Sequence, residues 1–549
     1  MISFTEKDFH LETFGGKNTA FKTGIVLETN VGYSNYPTLV NSSMELKSSF
    51  GYPSIANANY WYIAFSYLQY AKNLIVIRPC DTTKHNMSLN FKTDGSVEKT
   101  SDSNCYNPTV FSTKSFDLTN VKLKAVYKYL TNTTNVAIAI CSSLENYSLP
   151  MSIESSTVYV DSLQNKSTKI VKKFSDLFEV KPKFNEEEFC VVVFKKDDNG
   201  LYTISDKAIV SYNENAYNFI ESRDFKEIRF KCALNAVYLI ETCLMSIIST
   251  SYESNVNTLL NSVLSKENYL TSTRLYLNES VNCLIDFEYT EGGVKKTGLA
   301  AQVAQEKGDC FSIVGNYEYK KFLNKSNEYI LSTLLSDFVD KNYLTNYFES
   351  TCVVLNMQNI FDVYNNKKIW CSCIGDIAGL IASGKRFVSG LEEGRLKSVN
   401  PLLFELTADM KAALISQNIN FVTTYKNSFN YNSSQFIIDP KDESFKDLFN
   451  CDLINQTVRD LTIALNSYVD KLNIMPIREN AISDGKKVLN NLKHNDSIDS
   501  FNIICDNTNN IDYGETLYYS VKIVIPRYIK EIDVTFSIKD LITVKIKRG

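Results

Sequence analysis

Residues 56–77, ANANYWYIAFSYLQYAKNLIVI, limit the fold more than any other stretch of the chain. The first sixteen are apolar nearly all round a helix, which is the pattern of a helix buried on most sides. After Lys72 and Asn73 comes LIVI, a strand with no polar residue. A strand that does not alternate is covered on both faces. Upstream, TGIVLETN (23–30) reads as a strand, and SSMELKSSFG (42–51) as a short helix ended by Gly51. Strand, helices and strand in this order make an α/β unit.

The same texture returns further along. VNCLIDFEY (281–289), residues 296–307 and DCFSIVG (309–315) read as strand, helix and strand, and TCVVLNM (351–357) adds a strand. The fold class is therefore α/β, a mixed α+β chain of several domains with a mixed sheet core covered by helices. At 549 residues, roughly three or four domains of ordinary size are expected. Residues 82–185 are rich in Asn, Ser, Thr and Lys, with short runs such as VKLKAVY and NVAIAIC. They read as an inserted β-rich outer domain. Residues 21–81 and 186–399 are then the two halves of a discontinuous middle domain. EFCVVVFKKDDNGLYTISDKAIV (188–210) reads as a hairpin turned at Asn-Gly, residues 213–222 as a helix, and EIRFKCAL (227–234) as a strand.

The last third differs. Residues 400–418, 451–473 and 478–494 have helical periodicity. FNIIC (501–505), LYYSVKIVIP (517–526), EIDVTFSIK (531–539) and ITVKIK (542–547) alternate, as half-buried strands do. Residues 400–539 form a C-terminal inner domain, 540–549 a C-terminal arm strand and 1–20 an extended N-terminal arm.

Little points to chemistry. The net charge of −4 argues against nucleic acid as a partner. His10, His85 and His494 are the only histidines, and none stands beside Cys or a carboxylate at ligand spacing. LETFGGKNT (11–19) fails as a phosphate loop, with Leu11 and Asn18 where Gly and Ser or Thr are required. DNTNNID (506–512) has alternate oxygen side chains but lacks the Gly and terminal Glu of a calcium loop, and reads as a hairpin turn. The small residues of IGDIAGLIA (374–382) read as close helix packing, and the aromatics at 60–70 as packed core. The 13 cysteines sit mostly in apolar runs, as small hydrophobes of a reducing compartment do. No window is apolar enough to span a membrane. The expectation is no enzyme, no catalytic residue, no cofactor and no metal.

Order and identity together carry a resemblance. LKSSFGYP (46–53), YLQYAKN (67–73) and LIVIRPCD (74–81) come first, followed by FCVVVFKKDDNGLYT with SYNENAYNFIESR. KKIWCSCIGDIAGLIA (367–382) and FNIICDNTNN with VKIVIPRYIKEIDVTFSI complete the set. Together these resemble the phage contractile-tail sheath family. The resemblance implies a structural subunit that polymerises helically around an inner tube and contracts to drive the tube through a host cell envelope. Genome ejection follows, with no nucleotide consumed. It implies as partners the chain itself, the tail tube protein, and baseplate and tail terminator proteins, with no direct membrane insertion. The location implied is the virion tail, assembled in the bacterial cytoplasm.

An alternating strand at the chain end is a poor lone edge, because its backbone groups seek partners. Strand exchange between subunits is expected at Phe4, Phe9 and Leu11 of the N-terminal arm, at Val521, Ile523 and Ile525, and at Ile542, Val544 and Ile546. Lys486, Lys487 and Lys493 are candidates for facing an acidic tube. A rival reading is a glycan-binding or host-adhesion virion protein that uses the 82–185 domain.

Overall fold

The computed structural model describes residues 21–29, 32–80, 85–103, 111–112, 114–128, 135–141, 148–160, 166–173, 177–178, 180, 182–183, 187–196, 202–233, 244–249, 264–345, 349–383, 395–397, 400–425, 428–431, 437–440, 445–494, 497–512, 514, 516–525, 531–537 and 541–547. The expected N-terminal arm, with Phe4, Phe9 and Leu11, lies outside them.

The short apolar runs assemble as their texture predicts. Thr23–Val26, Leu74–Ile77, Cys283–Ile285, Phe311–Gly315, Thr351–Leu355 and Asn420–Tyr425 belong to one eight-stranded sheet. Neighbours among these six are parallel. An antiparallel strand closes each edge, Thr38–Val40 on one side and Ser428–Tyr431 on the other. The first five of the parallel strands are buried along their whole length.

The aromatic helix, Ala58–Leu68, is core and not the wall of a pocket. Trp61, Tyr62, Ile63, Ala64 and Tyr67 are buried. Buried aromatic polar atoms need partners, and here each has one. Trp61 Nε1 donates to Gly51 O at 3.2 Å, Tyr62 Oη to Asp362 at 3.2 Å and Tyr67 Oη to Lys72 O at 2.9 Å. The helix Ile374–Ala382 lies directly against it. A Cβ at Gly375 would fall 2.2 Å from Ile63 O, and one at Gly379 2.7 Å from Tyr67 O. The small residues thus bring two helix backbones together, as the IGDIAGLIA pattern predicts.

That contact buries an acid. Asp376 accepts from Tyr70 Oη at 3.0 Å and Gln358 Nε2 at 2.7 Å. Burial outweighs these bonds and pushes its carboxyl up to about 6. An unfolded Asp titrates near 3.9, so the native state holds a proton that the unfolded state has lost between about pH 4 and 6. The stability contributed by this protonated group is full below about pH 4 and falls as pH rises through about 6, by on the order of 3 kcal/mol. The decline in thermal midpoint between pH 4 and pH 7 is therefore smaller in Asp376→Asn than in the native chain. Equal declines in parallel melts would refute this.

The β-rich unit does not stop at residue 185. Glu188–Lys196 and Tyr202–Ser211 do pair as a hairpin, but their sheet is not the parallel one. Glu188–Lys196 pairs with Asn135–Cys141, which also takes Leu244–Ser249. A second sheet runs Ile228–Cys232, Val121–Tyr127, His85–Lys92, Val97–Ser103. Both are antiparallel and share one core, with Phe91, Leu123 and Ile228 from one sheet and Ile138, Val191 and Val210 from the other. The strands expected in the middle domain from residue 188 are therefore halves of a sandwich reaching Ser249. Residues 213–222, expected to be helical, are turns ending in the short 3₁₀ helix Ile220–Ser222.

Candidate assembly site

In open parallel sheets, ligands bind beyond the carboxyl ends of the strands. Here Asp286 and Asn356 at those ends face the protein's own backbone. After Cys283–Ile285, Asp286 accepts from Gly298 N at 2.6 Å, Ala300 N at 2.9 Å and the Thr297 hydroxyl, and so caps the helix Leu299–Lys307. After Thr351–Leu355, Asn356 donates to Phe404 O at 2.9 Å and Val422 O at 3.0 Å. Tyr317 Oη donates to Asp286 O at 2.6 Å. Among the described residues no group of three or more His, Cys, Asp or Glu side chains is placed to hold a metal ion. No helix among them is long and apolar enough to cross a membrane.

The distinctive site lies in the last third. Two helices, Leu448–Leu465 and Met475–His494, carry a two-stranded antiparallel sheet, Ser500–Ile504 with Ser520–Val524. Phe449, Leu453, Leu461, Leu489, Leu492, Ile498 and Val521 form its core. Alternation then sorts the strands. Phe501, Ile503, Val521, Ile523 and Ile525 pack toward the helices, while Asn502, Ile504, Lys522 and Val524 are exposed. Of the inward set only Val521 is buried, and the other four stay half-buried. Among the described residues each strand pairs only with the other, so each keeps an outer edge. A lone two-stranded hairpin is marginal in water, and open edges are templates for another strand.

The connection between the two strands is held tightly. Arg478 is fully buried. It donates to Asn473 Oδ1 at 2.7 Å, Asn473 O at 3.2 Å, Asn507 Oδ1 at 2.5 Å and Asp512 Oδ1 at 2.8 Å. The asparagines finish the turn: Asn509 Nδ2 reaches Ile504 O at 2.9 Å, and Tyr518 N donates to Asn510 Oδ1 at 2.7 Å. Asp506 accepts from Thr508 N at 2.8 Å, and the bonds from Thr508 hold its carboxyl below the usual range. DNTNNID is thus the hairpin turn that its composition predicts. Sequence reasoning missed Arg478. Its signal was available, since an arginine heads the stripe Ala481, Gly485, Leu489 and Leu492 that this helix buries.

The structure places Val521, Ile523 and Ile525 on the helix-facing side of this sheet. Lys486, Lys487 and Lys493 are exposed on Met475–His494, away from its buried stripe. Lys487 Nζ is held by Asp484 at 2.7 Å. Leu541–Lys547, with Ile542, Val544 and Ile546, forms a strand as expected, but it is not left single. It pairs with Glu531–Ser537 of the same chain over seven positions, as a sheet of its own.

No family model matches the chain, and no curated protein matches it. Among solved structures it is similar to a sheath tail protein from Desulfitobacterium hafniense, at 11% identity and a TM-score of 0.43, over 98% of this chain and 99% of that one. It is similar as well to a sheath tail protein from Listeria innocua, at 11% identity and a TM-score of 0.48, over 93% of this chain and 96% of that one. Both are tail sheaths. A third similar structure is the sheath of an extracellular contractile injection system in its contracted state, at 13% identity and a TM-score of 0.37, over 50% of this chain and 81% of that one.

Proposed function

We propose that this chain is the structural subunit of a contractile tail sheath, working as a helical polymer around an inner tube. The observation that carries this reading is the Ser500–Ile504/Ser520–Val524 sheet, whose strands, among the described residues, pair only with each other, and whose apolar face its own helices only half cover. β-Augmentation by segments of neighbouring copies satisfies both defects at once, since it adds backbone hydrogen bonds and covers Phe501, Ile503, Ile523 and Ile525. A head-to-tail contact of this kind, repeated by a screw operation, builds a filament and not a closed dimer.

Strands held by backbone pairing also tolerate rotation of the bodies they join. The sleeve can then change from an extended, kinetically trapped lattice to a contracted one of lower free energy. Exposed Lys486 and Lys493 suit weak pairing with an acidic tube. An exposed ion pair contributes at most about 1 kcal/mol, so the tube is easily released. The remaining partners are the baseplate and tail terminator proteins.

The test is electron microscopy of the purified chain. Tubes are expected from the native protein. Folded monomers without tubes are expected when residues 1–20 or 528–549 are removed. Tubes of normal appearance from both truncations would refute the augmentation mechanism.

A further inference from the structure

We infer that Lys124 and Asn90 of the sandwich become joined through their side chains in an isopeptide bond, which the folded chain forms on itself with release of ammonia. The inference does not depend on the assembly reading above.

His85–Lys92 and Val121–Tyr127 are adjacent antiparallel strands, and Asn90 stands directly opposite Lys124. Leu89 and Phe91 on one strand, and Leu123 and Ala125 on the other, face the shared core of the sandwich. Alternation therefore turns Asn90 and Lys124 to the other face of their sheet. That face is covered at this point. Phe111, Phe116 and Val126 pack together on it, the Phe116 ring lies 5.9 Å from Lys124 Nζ, and Asn90 and Lys124 are both buried. Lys124 Nζ donates to Asn90 Oδ1 at 2.9 Å. It also meets Asp102 Oδ2 on the next strand, Val97–Ser103, at 2.9 Å. The Ser88 hydroxyl donates to the same Asp102 oxygen at 2.6 Å and fixes it in place.

An amine, a carboxamide and a carboxylate held together out of water are the parts that acyl transfer to nitrogen requires. Lys124 Nζ gives a proton to Asp102 Oδ2, and its freed lone pair attacks Asn90 Cγ. The new C–N bond forms as the carbonyl electron pair moves to Oδ1. Asp102 passes its proton to Nδ2 and takes a second one from Nζ. The electron pair on Oδ1 then returns, the Cγ–Nδ2 bond breaks and ammonia leaves. One lysine ammonium, one aspartate and one asparagine amide thus become one isopeptide, one protonated Asp102 and one ammonia, with no oxidant or cofactor. Amides resist amines in free solution, but fixed placement of the reacting groups can supply effective molarities of about 10⁵–10⁸ M. The bond closes the chain between residues 90 and 124 into a loop, which restricts the unfolded state.

The test is the intact mass of the denatured native chain, followed by mapping of its tryptic peptides. The expected mass falls short of the sequence by one ammonia, and a branched peptide joins the Asn90 and Lys124 segments, uncut after Lys124. Lys124→Arg keeps the charge but offers no amine, so its mass should match its sequence. Asp102→Asn should form the bond about 100-fold more slowly, the loss typical of a missing proton-transfer group. Two results would overturn the inference. One is a native chain of full mass whose Asn90 and Lys124 peptides are recovered separately. The other is a mass loss that persists in Lys124→Arg, because an asparagine would then have cyclised on its own backbone.

Discussion

Replacing Gly375 by Val is expected to destroy the fold built on the parallel sheet. The added Cβ would lie 2.2 Å from the carbonyl oxygen of Ile63 and 2.9 Å from its carbonyl carbon. Both belong to the backbone of a helix packed on a parallel sheet, so no rotamer change relieves the contact. Overpacking of a core costs about 1–3 kcal/mol where side chains can adjust, and a rigid backbone contact exceeds that range. A domain has only about 5–15 kcal/mol of net stability. The expected result is loss of soluble protein, or a collapsed melting transition in whatever is recovered. Gly379→Ala, with its nearest contact at 2.7 Å, should produce a milder form of the same defect. A Gly375→Val protein that melts like the native one would show that the two helices are not in contact.

Arg478→Ala is expected to abolish tubes while leaving the parallel sheet and its helices folded. The guanidinium ties Asn473, at the head of its helix, to Asn507 and Asp512 in the turn of the sheet. Breaking a buried ion pair costs about 3–5 kcal/mol when the partner is left buried. Asp512 is 55% exposed, so water takes over part of its charge, and the lower end of that range applies. The turn and the strand edges it aligns should then loosen. Faster hydrogen exchange over residues 500–524, with unchanged exchange in the parallel sheet, is the expected signature. Arg478→Lys should fail as well, since an ammonium cannot reach the four acceptors that the fork of a guanidinium does. Protected exchange at 500–524 in Arg478→Ala would mean that the turn holds without its clamp.

Much of the scaffold was legible in the residues. TGIV, LIVI and TCVVL read as strands, LIVI as one covered on both faces, and all three sit in the parallel sheet. The spacing of small residues in IGDIAGLIA predicts the close helix contact at Gly375 and Gly379. Alternation in FNIIC and VKIVI predicts a half-buried hairpin, and DNTNN its turn. These are local properties, because burial on one face or two leaves its mark within a few residues of chain.

Partner choice leaves no such mark. EFCVVVF suits any buried strand, and only tertiary structure decides that Cys190 lies opposite Cys141 in the sandwich instead of joining the parallel sheet. The buried stripe of its helix marks Arg478, but only the fold brings Asn507 and Asp512, some thirty positions on, against it. ITVKIK reads as a strand seeking an edge, and the register with Glu531–Ser537 supplies one. The sequence by itself determined which segments must be buried and on how many sides. Which segments meet was decided by the folded chain, because pairing energy is summed over contacts between residues far apart, and periodicity reports only on near neighbours.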